Sequence, residues 1–461
     1  MNTRYKVGLT TILMLISSAT FSQDLTHPRD MDIPASKFTR PAPEQFQVIL
    51  DNGLTAYVAK ADQVPLVTLS AFVRAGKIDG AKEGAAESMI HALQNSGPGD
   101  MSAADFKDAL RRMTARYTVT MHDEWTEISL NVPTEDLPEA LYLFTAIIRT
   151  PNIHQDNIEG ARITATRDAA VDDAGVLFDA SLNVAVDKFR DVVYDGHRYG
   201  KNLTNDEFDA LTIADIAEFH RNYFAPNNMT IAVSGDIDEA SIRATLSERF
   251  ADWAPRELPE RRVSAPLDDN RSAVHHYAAD KFQTWLVMGH ALPEVPLEEQ
   301  AALEIMNYVL GGGHFWTRLF INTRDRYGLT NDASGFPEEH WDGPGNYSFR
   351  TYSRHDVVKQ LYDNVMEEVH RIREEKVSEE DLLIAQNALA DGTFEIRYND
   401  GNAIARSFAI EQLRYGGHEH SASYRERVLN VTIDDVLKAA NKYIRPDAFQ
   451  IVVVGDDIDL D

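Results

Sequence analysis

The stretch Leu211-Thr212-Ile213-Ala214-Asp215-Ile216 returns later in the chain as Val431-Thr432-Ile433-Asp434-Asp435-Val436. The residues that follow also match, since Tyr223, Pro226, Ile231, Val233, Gly235 and Asp236 correspond to Tyr443, Pro446, Ile451, Val453, Gly455 and Asp456. Each residue of the second copy lies 220 positions after its counterpart, without a gap. Each copy is typical of a Thr-capped helix, a proline turn and an alternating strand that ends in Gly-Asp. The repeat therefore predicts two homologous domains of similar size.

The starts of the two halves also agree with each other. Asp51-Asn52-Gly53 separates two apolar runs and predicts a β-hairpin, and a third strand is expected at Val67–Val73. The second half opens with candidate strands at Ala273–Ala278 and Thr284–His290, and long helical stretches follow in both halves. Strands and helices do not alternate strictly. We therefore predict an α+β fold in which each domain is a mostly antiparallel sheet with helices packed on one face.

The first residues have the layout of a secretory signal peptide. A basic start at residues 2–6 precedes the apolar run Val7–Ile16 and the small-residue tail Ser17–Ser22. This pattern predicts cleavage of residues 1–22 and a periplasmic or secreted protein. We assign an N-terminal extension to 23–44, the first domain to 45–253, a Pro- and Arg-rich linker to 254–270 and the second domain to 271–461.

Composition excludes several classes of function. The chain of 461 residues has no cysteine, so disulfides, thiolate metal sites and cysteine nucleophiles are absent. The formal net charge of −28 disfavours binding to nucleic acid, because a phosphate backbone would be repelled. No stretch after the apolar start is apolar enough to predict a transmembrane anchor.

One Ala-rich helix predicted at residues 84–97 carries the strongest functional pattern. Its sequence is Gly84-Ala85-Ala86-Glu87-Ser88-Met89-Ile90-His91-Ala92-Leu93-Gln94-Asn95-Ser96-Gly97, and it follows the third predicted strand. Three further stretches occur in a fixed order: Gly196-His197-Arg198-Tyr199-Gly200, Tyr223–Asn228 and Gly311-Gly312-Gly313. Together these features resemble the pitrilysin/insulinase family of inverzincin peptidases, whose zinc helix has the signature H-x-x-E-H.

The resemblance implies a zinc site that has degenerated. Glu87 stands where the first histidine ligand belongs, Ile90 where the glutamate base belongs, and His91 keeps the second histidine. Asp168 is the candidate for the third ligand of the family. An aliphatic side chain cannot accept the proton of a metal-bound water, and a general base contributes about 10²–10⁴-fold in rate. We therefore expect no catalytic residues and no cofactor, unless Glu87, His91 and Asp168 form an unusual zinc site.

The same resemblance implies substrate-binding residues in both halves. Arg324 matches a family arginine that reaches substrate from the second domain, Asn331 occupies the position of a family tyrosine, and Tyr327 is a neighbouring candidate. In the first domain, the family binds peptide along a sheet edge, which corresponds to the segment 115–121 with Ala115 and Tyr117. Edge pairing uses main-chain hydrogen bonds and does not require zinc.

We therefore expect the non-catalytic subunit of a peptidase heterodimer, which helps to enclose and bind peptide. Its partners would be a homologous zinc-bearing peptidase subunit and peptides or unfolded protein. Two alternatives remain open from the sequence. One is an active zinc metallopeptidase with unusual ligands, and the other is a stand-alone peptide-binding clamp.

Overall fold

The computed structural model describes residues 38–167, 181–261, 271–456 and 458–460. The predicted signal peptide, Asp168 and most of the predicted linker lie outside these residues. The strands are β1 (Gln47–Ile49), β2 (Thr55–Lys60), β3 (Leu66–Val73), β4 (Arg116–Met121), β5 (Thr126–Pro133), β6 (Met229–Gly235), β7 (Ala273–Ala278), β8 (Thr284–Leu292), β9 (Ala333–Glu338), β10 (Gly345–Ser353) and β11 (Gln450–Gly455).

The helices fill the intervals between these strands. They are α1 (Ala85–Asn95), α2 (Ala103–Arg112), α3 (Leu137–Arg149), α4 (Asp156–Arg167), α5 (Leu182–Val193), α6 (Asn205–Asp209), α7 (Ile213–Tyr223), α8 (Glu239–Phe250), α9 (Leu297–Asn307), α10 (Arg318–Phe320), α11 (Val358–Glu374), α12 (Glu379–Asn387), α13 (Phe394–Ile396), α14 (Gly401–Tyr415), α15 (Glu419–Leu429) and α16 (Ile433–Tyr443). Among the described helices, none is long and apolar enough to cross a membrane.

The strands form two sheets of matching topology. The first sheet has the order β1-β2-β6-β3-β5-β4, and the second has the order β7-β11-β8-β10-β9. The β2–β6 and β7–β11 pairs are parallel, whereas the other neighbours are antiparallel. The predicted α+β fold with two mostly antiparallel sheets is therefore confirmed.

The sequence repeat corresponds to the last helix and strand of each half. Helix α7 begins after Thr212 and α16 begins after Thr432, and each threonine forms a capping box with the aspartate three residues later. Both helices have eleven residues, and the strands that follow, β6 and β11, are completely buried at the centre of their sheets. The two copies thus form the same local structure for the same physical reasons.

Each sheet is also covered by a helix from the other half of the chain. Helix α14 packs on β2, β3 and β6, where Phe408 contacts the Tyr57 ring at 5.8 Å between centroids and Thr230 Oγ1 donates to the Ala409 carbonyl at 2.8 Å. Helix α5 packs on β8, β10 and β11, and buries Phe189 against Val452 and Val454. Other helices, such as α3 and α8 in the first half and α11 in the second, pack on the sheet of their own half, as predicted. The exchange of α5 and α14 over the opposite faces was not predicted.

The equivalent hairpin turns of the two sheets meet each other. Trp125 in the β4–β5 turn stacks on Trp341 in the β9–β10 turn, with 5.4 Å between centroids and 8° between planes. Glu124, which is buried, accepts a hydrogen bond from the Asp342 backbone at 2.7 Å. Asp123 accepts from His340 Nε2 at 2.9 Å. These contacts join the halves beside α5, and residues 40–461 cluster as one compact unit.

Candidate functional site

Helix α1 presents two different faces to its surroundings. Ala85, Met89 and Leu93 belong to the core of the first half, as expected for apolar residues spaced three to four positions apart. Its N-cap is Gly84 at φ 83°, a left-handed conformation that glycine adopts without strain. Glu87, Ile90 and His91 lie on the opposite side and line a cavity.

The cavity has a volume of about 410 Å³. Its walls come from α1, α4, α5, the segment 198–203 and the end of β4 at Met121. Its described lining residues all belong to the first half, although one of its walls, α5, also packs on the second sheet. A volume of this size is typical of a small-molecule or peptide side-chain pocket.

His91 is held by helix α4 rather than directed freely into the cavity. Asn157 Nδ2 donates to Ser96 Oγ at 3.1 Å while Asn157 Oδ1 accepts from the His154 backbone at 2.7 Å, so the orientation of the amide is fixed. The same Nδ2 atom lies 3.3 Å from His91 Nδ1, which makes Nδ1 the acceptor and leaves the proton of the neutral ring on Nε2.

The other ring nitrogen of His91 faces a glycine. A Cβ atom added to Gly160 would lie only 2.0 Å from His91 Nε2, so the ring packs directly over the backbone of α4. Burial lowers the pKa of His91, and the charge of Lys107 lowers it further. The imidazole is therefore neutral, with one nitrogen hydrogen-bonded and the other pressed against a helix.

Glu87 is one of five acidic residues that line the cavity, and it lies on the same face of α1 as Ile90 and His91. Burial raises its pKa to about 7, against the opposing effects of a backbone hydrogen bond and of Lys77. At a pH near neutrality the carboxyl group is therefore protonated in a large part of the molecules.

The described residues do not fit a zinc ion. Zinc requires three or four nitrogen, sulfur or carboxylate ligands. In the described part of the chain no group of three or more such residues is placed to hold a metal ion, and Nδ1 of His91 already accepts from Asn157. Asp168, the predicted third ligand, lies outside the described residues. The zinc site of Glu87, His91 and Asp168 stays a prediction.

Ile90 occupies the position from which the family's base acts. It lines the cavity and is 7% exposed. Its neighbours in the lining include the apolar side chains Met121, Val184 and Leu203. The side chain at position 90 of the cavity wall therefore offers no proton acceptor of the kind that hydrolysis needs.

The predicted substrate residues of the second half lie elsewhere. Arg324 is in the segment 321–326 and stands over the rings of Phe320 and Phe315, at 4.6 and 5.5 Å from their centroids. Tyr327 is 49% exposed, and Asn331 is exposed as well. None of these candidates is among the residues that line the cavity in the described structure.

The predicted edge strand is present, but part of its edge is occupied. β4 pairs with β5 on one side only, from Arg116 opposite Asn131 to Met121 opposite Thr126. On its other side, Gln94 Nε2 donates to the Val119 carbonyl at 2.9 Å. Tyr117 donates its hydroxyl proton to the Leu93 carbonyl at 2.9 Å, so its side chain fastens β4 to α1.

The cations of the cavity wall were not predicted, and five of them are among its described lining residues. Lys77 and Arg198 both line the cavity. Arg198 belongs to the stretch 196–200, and the next residue, Tyr199, donates to Glu124 at 2.7 Å and stacks on His340 at 3.8 Å between centroids. That motif was recognised in the sequence as a family feature. Only the fold, however, shows that it brings a guanidinium group to the cavity.

Comparisons with known proteins agree with this architecture. The family model described as "Peptidase M16 inactive domain" matches residues 210–389. These residues belong to the peptidase M16 inactive domain family. The resemblance to the pitrilysin/insulinase family is thereby confirmed. The word "inactive" in that description concerns residues 210–389, which do not include α1, so the state of the cavity has to be inferred from its own residues.

Relatives of this chain include proteins named as zinc proteases. A protein of Mycobacterium tuberculosis named "uncharacterized zinc protease" is 23% identical over 381 residues, which cover 81% of this chain and 84% of that protein. A Helicobacter pylori protein named "Zinc protease PqqE" is 20% identical over 418 residues, covering 87% of this chain and 91% of its own length.

Solved structures show the same fold. The M16 inactive domain structure from Pseudomonas fluorescens has a TM-score of 0.76 at 18% identity and covers 89% of this chain and 98% of its own. A Helicobacter pylori protease has a TM-score of 0.75 at 18% identity and covers 89% of this chain and 99% of its own. The periplasmic protease PqqL from Escherichia coli has a TM-score of 0.68 at 15% identity. Its match covers 92% of this chain and 47% of that one.

Proposed function

We propose that this M16-type protein is the non-catalytic subunit of a peptidase heterodimer, in which it helps to enclose and bind peptide. The observation that carries the proposal is Ile90, because this side chain has no proton acceptor and lines the cavity at the position of the family's base. Without the base, attack of water on a peptide bond loses about 10²–10⁴-fold in rate.

The arrangement of His91 supports the proposal. A zinc-binding histidine presents a nitrogen lone pair to the metal, whereas the described contacts place the Nε2 proton of His91 against Gly160 and assign Nδ1 to Asn157. Binding a metal through Nδ1 would require the contact with Asn157 to break. The described contacts of His91 are therefore those of a residue that packs α1 against α4.

The surroundings of Arg324 support a role for this residue at a subunit interface. It does not line the cavity of its own chain, and its aromatic surroundings include Phe315 at 64% exposure and the neighbouring Trp316 at 73% exposure. Exposed aromatic side chains with an arginine are typical of protein interfaces. In the proposed heterodimer, Arg324 reaches the peptide in the partner's cleft and donates two parallel hydrogen bonds to it.

Co-purification tests the heterodimer. We expect the tagged full chain, recovered from its native compartment, to bring with it a homologue that contains an intact H-x-x-E-H helix. The stand-alone clamp instead predicts that no such homologue is recovered, and this result would contradict the heterodimer. The proposed compartment is the periplasm, in agreement with the predicted signal peptide and with the description of the Escherichia coli structure as a periplasmic protease.

A substitution in the second half provides a functional test of the same proposal. We expect Arg324→Ala to lower kcat/KM for peptide cleavage by the heterodimer about tenfold or more, because a charge-assisted bidentate contact is lost. Arg326→Ala is the matched control, since Arg326 is an exposed arginine of the same segment. Equal effects of the two substitutions would contradict a substrate role for Arg324.

One observation favours the active zinc peptidase as a second candidate. Glu87 and His91 are one helical turn apart and line the same cavity, and this candidate takes them as zinc ligands together with Asp168. This candidate predicts that His91→Ala abolishes both stoichiometric zinc binding and peptide cleavage by the chain alone. Cleavage that persists in His91→Ala contradicts it.

A further inference from the structure

Every second residue of β4 presents its backbone groups at the outer edge of the first sheet. His122, which follows the strand, donates its N–H to the Trp125 carbonyl at 2.8 Å across the β4–β5 turn. Inward and outward residues alternate along an antiparallel strand, so the backbone groups of Tyr117, Val119 and Met121 point away from β5. A further strand would pair with these three residues, and Val119 is the middle one.

One side chain bonds to this edge in the described structure. Gln94, on the last turn of α1, donates from Nε2 to the Val119 carbonyl at 2.9 Å, in agreement with the outward direction of that carbonyl. Among the described residues, no other hydrogen bond reaches the outward backbone groups of Tyr117, Val119 or Met121. Gln94 therefore occupies the acceptor at the centre of the edge and leaves the groups on either side of it open.

The contact of Gln94 can break without any movement of α1 or β4. Tyr117 holds the two elements together, since its hydroxyl donates to the Leu93 carbonyl at 2.9 Å and its ring packs edge-on against Phe106 at 5.5 Å between centroids. Gln94 is exposed, so rotation of its side chain into water frees the Val119 carbonyl and leaves no buried amide unsatisfied. An exposed neutral hydrogen bond of this kind contributes little net free energy.

We propose that Gln94 is a reversible edge cap, which holds the Val119 carbonyl in the free chain and is displaced when a peptide adds to β4 as the next strand. The proposal rests on the proposed peptide-binding function and deepens it, since it names the contact that regulates this edge. In antiparallel addition, the peptide residue opposite Val119 donates its N–H to the Val119 carbonyl and accepts from the Val119 N–H. The amide of Gln94 takes the place of the first of these two bonds.

The edge cap and the peptide compete for one acceptor, so the strength of the cap lowers the apparent affinity for peptide. The net contribution of a neutral hydrogen bond corresponds to a factor of about two to ten in an equilibrium constant. Removal of the donor of Gln94 should therefore tighten peptide binding by about this factor. The cap also gives the chain a reason to keep a polar side chain here, because an open strand edge pairs with other chains.

Fluorescence anisotropy with the full chain tests the edge cap. The probe is the labelled peptide Ser-Thr-Ile-Arg-Val-Tyr-Gly with a C-terminal amide, since strand addition uses main-chain groups and tolerates many sequences. Gln94→Ala and Gln94→Met both lack the donor, and methionine keeps the length of the side chain. We expect both variants to bind the probe about two- to tenfold more tightly than the wild type. Gln386→Ala is the matched control without an expected change, because Gln386 Nε2 also donates to a backbone carbonyl, that of Val431 at 3.0 Å, but in the second half.

A series of N-methylated peptides locates the contact. Each member has one backbone N–H of the probe replaced by an N-methyl group. The peptide that is methylated at the residue opposite Val119 should bind the wild type and Gln94→Ala with equal affinity, because it has no N–H for the freed carbonyl. Methylation at a position that faces away from β4 should keep the gain. Circular dichroism melting checks the fold of each variant, which the exposed position of Gln94 should leave intact.

The outcomes separate the two proposals. Unchanged or weaker binding by the Gln94 variants would overturn the edge cap. A gain in Gln94→Ala alone would show a steric effect, and a gain that survives every N-methylation would not pass through the Val119 carbonyl, so each of these results would overturn the cap as well. Peptide binding in general would stand in all of these cases. Failure of the probe to bind the wild type and both variants would instead contradict the proposed peptide-binding function, and the edge cap with it.

Discussion

Glu87, Ile90 and His91 share one face of α1 and line the same cavity. His91 is hydrogen-bonded to α4, and burial raises the pKa of Glu87. Their common orientation was predictable, because residues three and four apart project to the same side of a helix. The partners of His91 were not predictable, since Asn157 and Gly160 lie more than sixty positions away and carry no motif. Sequence spacing thus identified the position of the site, but only the packing of α4 shows how His91 is used.

A substitution of Gly160 tests how His91 packs against α4. A helical Gly→Ala substitution normally stabilises by up to about 1 kcal/mol, but here the new Cβ would collide with His91 Nε2 at 2.0 Å. We expect Gly160→Ala to reduce the free energy of unfolding by about 1–3 kcal/mol in urea denaturation, and His91→Ala in the same chain to restore it. Gly392→Ala is the control, since a Cβ at that position meets nothing within 4 Å. A stabilising effect of Gly160→Ala alone would contradict the contact.

The raised pKa of Glu87 predicts that the stability of the fold depends on pH. Burial raises the pKa of this carboxyl group from 4.5 to about 7, so the folded state holds a proton that the unfolded state releases between these values. Stability therefore falls as the pH rises through this range. We expect Glu87→Gln to be about 1–3 kcal/mol more stable than the wild type at pH 8 and nearly equal at pH 4.5. Parallel stability curves for the two proteins from pH 4.5 to pH 8 would show that Glu87 is not buried in this way.

At the scale of elements, the exchange of α5 and α14 connects the two halves. The repeat predicted the helices and strands of each half because capping boxes and apolar alternation are local signals. The exchange depends on which sheet face each helix covers, and an amphipathic helix pattern does not specify the sheet that receives it. The same limit applies to the edge of β4, where Gln94 occupies the Val119 carbonyl.

A substitution of Phe408 tests whether α14 couples the unfolding of the two halves. It belongs to the second half but is completely buried against the first sheet, so Phe408→Ala should cost about 3–5 kcal/mol. We expect hydrogen exchange to show an equal loss of protection in β6 and β11, because the halves unfold as one unit. Phe282→Ala, at a residue of the same half that is 96% exposed, should leave both strands unchanged. Loss of protection confined to either strand would contradict the coupling.

At the scale of the whole molecule, the repeat predicted the α+β architecture, whereas the site positions that the family resemblance implied on α1 stay a prediction. The spatial relation of the halves could not be derived from the sequence. It depends on contacts between distant turns, such as the stacking of Trp125 on Trp341, for which no local signal exists. The substrate role of Arg324 stays a prediction, and Arg324 is not among the residues that line the described cavity of its own chain.

The central claim is that this chain alone does not hydrolyse peptides, because position 90 has no base. The most direct measurement is the cleavage of a quenched fluorescent peptide library by the purified chain with added zinc, together with its metal content by mass spectrometry. We predict substoichiometric zinc and no turnover above that of the His91→Ala variant. Stoichiometric zinc with turnover that His91→Ala abolishes would contradict the account.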